Sequence, residues 1–173
     1  MPHRSATPQR TGLPFRRDEW ALLVRLPGRV VVAATSAQPD TARRTVAEGL
    51  AGIDAIAAGR ASVSRLVRDV VAAIYAETGA DEPPAAAEFH DPAGGVAAVL
   101  TGCREAARVL AERAGREDYD AYRHWLEAIA ARVCQAARTG GVPGLGGQLV
   151  SPAEWRFLAA LGAAFDGWRR PDG

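Results

Sequence analysis

DYDAYRHWLEAIAARVCQAART, residues 118–139, is the stretch from which the fold is read. Tyr122, Trp125, Leu126, Ile129, Val133 and Ala136 recur at intervals of three and four, the spacing that puts side chains on one side of an α-helix. No glycine or proline interrupts the run. Asp118 stands where an N-cap is expected. A helix this long, with a single apolar stripe and polar residues elsewhere, has to bury that stripe against other helices.

The segments on either side repeat the pattern. Downstream, GGVPGLGGQLV at 140–150 is a loop by its glycines and proline. Ser151-Pro152-Ala153-Glu154 then opens a helix with three start signals together: a hydroxyl cap, proline in the first helical position and the acid of a capping box. Trp155, Leu158, Leu161, Phe165 and Trp168 form its apolar face. Upstream, Asp91-Pro92 starts a helix over about 92–114 with Val96, Val99, Leu100, Cys103, Ala107 and Leu110 on one face. A loop at 79–93, broken by Pro83-Pro84, separates it from a helix over 62–78. In that helix Ser62 is the expected cap and Val63, Leu66, Val67, Val70 and Ile74 the stripe.

Before that, a helix over about 40–59 carries Val46, Leu50, Ile53 and Ala57 at i, i+4, i+7 and i+11, read as the face turned to the core. Gly49 and Gly52 lie near it and predict close approach of a neighbouring helix. The first helical segment starts at Asp18, with Trp20, Leu23, Val24 and Leu26 on one face. Pro27-Gly28 is expected to interrupt it, because proline disfavours the helical state of the residue before it. The β-branched run at 29–34 then forms a second helical piece, since no other segment offers a strand to pair with it.

The expected fold is therefore all-α, a single-domain bundle of five to six helices over 18–170. Residues 1–17, rich in Pro and Arg, read as a flexible arm in front of it. The chain of 173 residues is long enough to bury a core without staples. Basic and acidic residues number 21 and 20, for a net charge of +1, so the fold as a whole gives no basis for a nucleic-acid partner. No stretch of 18 apolar residues is present, so no membrane span is expected. Every basic residue is Arg and about a fifth of the chain is Ala, a composition that follows base content and also favours close helix packing. Cys103 and Cys134 fall within apolar helical segments and read as small buried hydrophobes in a reducing, cytoplasmic setting.

Chemistry has few places to sit. Glu88, His90 and Asp91 cluster in the 79–93 loop, and His124 with Glu127 share a face three residues apart on the long helix. A bundle that brought these five residues together would make a histidine and carboxylate metal site. Helical geometry opposes the simple form of it: at about 100° per residue His124 lies roughly 160° from the stripe. The glycines at 144, 146 and 147 precede a helix start, as in loops that cradle anions, but lack the ending of a phosphate-binding loop. Gly144, Leu145, Gly146 and Gly147 are instead the expected contact loop. Tyr119, Tyr122 and Trp125 cluster on one turn, either to line a pocket or, as expected, to pack the core. No serine or cysteine has the context of a nucleophile, so no catalytic or cofactor-binding residue is assigned and no cofactor is expected.

Residues 120–165, about a third of the chain, resemble the C-terminal part of a group of uncharacterised small bacterial helical proteins. AYRHWLEAIAARVCQAARTGG followed by GLGGQLVSPAEWRFLAAL carries the likeness: a Trp-Leu helix, a Gly-Gly and Gly-x-Gly-Gly loop, and a Val-Ser-x-x-Glu helix start. The resemblance implies an all-helical domain and no particular activity. A looser likeness is to tellurite-resistance TerB-type helical domains, which also start a helix with Val-Ser-x-x-Glu after a turn. Their acidic metal-associated positions correspond here to Gly146-Gly147-Gln148, which lack the charge a hard cation needs. The expected function is that of a non-enzymatic helical protein acting through a protein partner or as a homo-oligomer. The alternative is a small-molecule or metal-binding protein, with enzymatic activity open, built on the His90 and His124 groups.

Overall fold

A computed structural model describes residues 14–36, 42–77, 92–139 and 151–167. Among these the chain forms six α-helices, one short 3₁₀ turn and no strand. The helices are α1 (Arg17–Ser36), α2 (Ala42–Ala58), α3 (Arg65–Glu77), α4 (Pro92–Arg113), α5 (Arg116–Thr139) and α6 (Pro152–Asp166), with the 3₁₀ turn at Gly59–Ala61. The all-α bundle expected from periodicity is what forms. The long helix α5 is its axis and touches every other helix.

The core follows the stripes of α1, α3, α4, α5 and α6, except that Val63, ahead of α3, and Trp155 of α6 are turned to solvent at 95% and 59% exposure. Leu23, Leu26 and Val30 meet Val67, Val70, Leu110, Tyr122, Leu126, Ile129, Leu161 and Phe165, all fully buried. At the start of α6, Ser151 N–H donates to Glu154 Oε2 at 2.7 Å and Glu154 N–H donates to Ser151 Oγ at 3.2 Å, the reciprocal capping box read from the sequence. Both cysteines are buried and free.

Four local readings are corrected. First, α1 runs unbroken through Pro27, which is buried inside it. A proline there removes the N–H that would bond the carbonyl four residues back, Leu23. The Tyr122 hydroxyl donates to that same Leu23 oxygen at 2.8 Å. A side chain from α5 thus replaces the missing helical bond, and the segment stays helical where local propensity argues for a break.

Second, the first turn of α1 is held by Glu19, not Asp18. Glu19 is buried, accepts from the Arg16 N–H at 2.8 Å and pairs with Arg113 at the end of α4 at 3.2 Å. Residues 14–17, read as part of the arm, join the fold here, with Phe15 stacked on Trp20. Third, the cap of α3 is Ser64, whose hydroxyl oxygen accepts from the Val67 N–H at 3.2 Å and donates to Asp118 Oδ1 at 2.6 Å. Asp118 is therefore a tether between α5 and α3, and α5 begins two residues earlier than its expected cap.

The fourth correction concerns α2. Its expected core face, Val46, Leu50 and Ile53, is turned to solvent, at 63%, 60% and 55% exposure. The inward face is made of Glu48, Gly52, Ala55, Ile56 and, past the helix end, Gly59. A Cβ on Gly52 would lie 2.5 Å and 2.7 Å from the Val31 methyls, and one on Gly59 would lie 2.8 Å from the Trp125 ring. Close approach is thus real at Gly52, as expected, but on the opposite side of the helix from the aliphatic stripe. At Gly49 nothing lies within 4 Å.

Candidate functional site

Of the residues read as candidate ligands, His124 and Glu127 are described. Glu88, His90 and Asp91, and the contact loop Gly144, Leu145, Gly146 and Gly147, lie outside the described residues. His124 is exposed on α5. Glu127 turns toward α6, where its Oε1 accepts from Arg123 Nε at 2.8 Å. Arg123 also bonds Asp166 Oδ1 at 2.7 Å, so the three groups join α5 to the end of α6. Partial burial works against the Arg123 cation, but the hydrogen bonds and charges of Glu127 and Asp166 outweigh it and raise its pKa. Glu127 thus serves a charge-assisted structural link, and His124, three residues before it, is exposed. No group of three or more His, Cys, Asp or Glu side chains suited to a metal forms among the described residues.

The aromatic turn of α5 turns out to be core with a polar function. Each ring sends its donor to a backbone carbonyl of a different helix. Tyr119 Oη donates to Phe165 O of α6 at 2.5 Å, Tyr122 Oη to Leu23 O of α1, and Trp125 Nε1 to Ala55 O of α2 at 3.2 Å. The Phe165 carbonyl lies in the last turn of its helix, where intrahelical donors run out. Burial pushes the Tyr122 hydroxyl well above its usual pKa, with the nearby Cys103 adding to it. Burial also pushes the Cys103 thiol up to about 12, so it is a thiol and not a nucleophile at neutral pH.

Two surface features remain. One is the outward aliphatic stripe of α2. Between Val46 and Ala58 the sole exposed charge on this helix is Asp54, since Glu48 is buried. The other is a cleft of about 330 Å³ between α2, the 3₁₀ turn and α5, floored by Trp125 and lined by Asp54, Ala58, Ala128 and Arg132. Sequence reasoning weighed Trp125 as a pocket residue but brought neither Asp54 nor Arg132 to it. It found the α2 stripe but reversed its direction. The Gly52, Ala55 and Gly59 series, at steps of three and four, was the available sign that the small side of this helix packs inward.

No protein-family model, curated protein or solved structure matches this chain.

Proposed function

We propose that this is a non-enzymatic helical protein that works through protein contacts, and that its α2 face mediates self-association. The observation behind this reading is the row of Val46, Leu50 and Ile53, each more than half exposed on an otherwise amphipathic bundle. Scattered exposed aliphatics need no explanation, but three on one face with a single exposed charge beside them mark a contact surface.

The spacing favours a second copy as the occupant. Positions 46, 50, 53 and 57 follow the four-three-four rhythm of a helix-pairing seam. That rhythm reads the same in both directions. A two-fold antiparallel pair of α2 helices therefore sets Leu50 against Ile53 of the second copy and Val46 against its Ala57. Within the row itself, from position 46 to 57, no charge faces its own image. No helix among the described residues is long and apolar enough to cross a membrane. Two free buried thiols suit a reducing compartment, and we assign the protein to the cytoplasm.

Light scattering coupled to size exclusion over a hundredfold range of protein concentration tests the proposal. The wild type should shift toward a dimer as concentration rises, and Leu50→Asp should hold it monomeric with an unchanged circular dichroism spectrum. A wild type that stays monomeric across the whole range would falsify self-association.

A further inference from the structure

The cleft beside α2 carries an inference of its own, independent of self-association. Helices α2 and α5 run antiparallel along it: Gly52 lies against Val133, and Gly59 against Trp125. Asp54 and Arg132 consequently stand at about the same level, one on each wall. Neither makes an ion pair or hydrogen bond with another described residue. One turn further along each helix stand Ala58 and Ala128, both exposed and both small, so the cleft stays open down to the indole, which is 8% exposed and lines its floor. The indole is fixed in place, bonded to the Ala55 carbonyl at 3.2 Å and seated on Gly59, where any side chain would collide with it.

We propose that this cleft binds a free α-amino acid with a large apolar side chain. The aromatic floor and alanine walls take the side chain, the Asp54 carboxylate takes the α-ammonium, and the Arg132 guanidinium takes the α-carboxylate. The volume of about 330 Å³ is at the low end for small-molecule sites, which run from about 300 to 1,000 Å³, so it suits a ligand of amino-acid size and excludes a nucleotide cofactor. An acid and a guanidinium at one level offer a zwitterion two charge-assisted contacts, and a simple anion or cation only one, with repulsion from the other.

Titration calorimetry of the full chain with L-phenylalanine tests this, with ligand-observed NMR as a second readout. One saturable site per chain is expected. Glycine, which has the zwitterion without the side chain, should show no binding. Both 3-phenylpropionate and phenethylamine, each lacking one charge, should bind about tenfold more weakly or worse, as should L-phenylalanine to Asp54→Asn and Arg132→Gln. Ala128→Leu, which fills the cleft from an exposed position, should abolish binding. Val46→Asp, on the α2 face two turns away from Asp54, should leave it unchanged. The proposal is overturned if L-phenylalanine shows no saturable signal up to about 10 mM. Equal affinity for L-phenylalanine and 3-phenylpropionate overturns it too, as does unaltered binding to a folded Arg132→Gln.

Discussion

Helix α5 meets its neighbours with large side chains, and helix α2 meets them with small ones. Tyr122, Leu126 and Ile129 of α5 are fully buried. Across the joint between the two helices, α2 offers Gly52 and Ala55; of its larger aliphatics Ile56 turns inward, and Val46, Leu50 and Ile53 are left outside. The two faces are complementary. The volume that Val31, Val133 and Trp125 occupy between the helices is the volume α2 gives up by presenting glycine and alanine there. Large against small is how a core interdigitates at native density. A period of three and four tells which residues share a face, but not whether that face is the one the neighbours fill.

The same substitution placed on each stripe gives the sharpest contrast. Ile129→Ala removes a fully buried side chain from the middle of α5 and should cost about 2–5 kcal/mol through lost burial and the cavity left behind. Ile53→Ala on α2 should fall within about 0.5 kcal/mol of wild type, as surface substitutions do. Urea denaturation at low protein concentration measures both, since association would otherwise lend stability to the folded side. If Ile53→Ala cost as much as Ile129→Ala under those conditions, the α2 stripe would be core and the reading of it as a contact face would fall.

Between these extremes lies the small side of α2. Gly52→Ala improves intrinsic helix propensity by about 1 kcal/mol. Against that, the new methyl meets both branches of Val31 at 2.5 Å and 2.7 Å, and a valine has little rotamer freedom in a helix to give way. Overpacking of this kind costs about 1–3 kcal/mol and should win, lowering the midpoint of thermal unfolding. The same change at Gly49, which has nothing within 4 Å, should be neutral or stabilising. The pair separates glycine that makes room from glycine that merely occupies a helix.

Much of the fold was legible because the helices announced themselves by period, and α6 by punctuation as well. Ser151, Pro152 and Glu154 fixed the start of α6, and the α5 stripe fixed the core. What escaped reading depended on partners distant in sequence. The direction of α2 is set by Val31 and Trp125, and the cap of α3 by Asp118, 54 residues away. The continuity of α1 through Pro27 depends on a tyrosine 99 residues from the carbonyl it completes. The cleft was illegible for the same reason, since Asp54 and Arg132 become neighbours only when two helices have packed. His124 and Glu127 were read as one polar pair on α5, but Glu127 is taken up by Arg123 one turn before it, and Arg123 in turn bonds Asp166 of α6, a partner 43 residues away.

The smallest effect is also the most specific. Pro27 leaves the Leu23 carbonyl without its helical donor, and the buried Tyr122 hydroxyl supplies one. Tyr122→Phe keeps the ring and removes the donor, so it should cost about 1–3 kcal/mol, the penalty for a buried carbonyl left unsatisfied. In a Pro27→Ala background the residue at 27 again carries an N–H directed at Leu23 O. The carbonyl is then satisfied without the tyrosine, and Tyr122→Phe should cost less by about 1 kcal/mol. A double-mutant cycle in urea reads that difference directly, free of whatever Pro27→Ala does alone through packing or propensity. Equal costs in the two backgrounds would mean the hydroxyl is not completing the helix, and the persistence of α1 through its proline would have to rest on packing of the Leu23, Leu26 and Val30 face. A positive coupling would tie the least helical point of α1 to the centre of α5, and it would give the hydroxyl a role at a fully buried position where phenylalanine would pack as well.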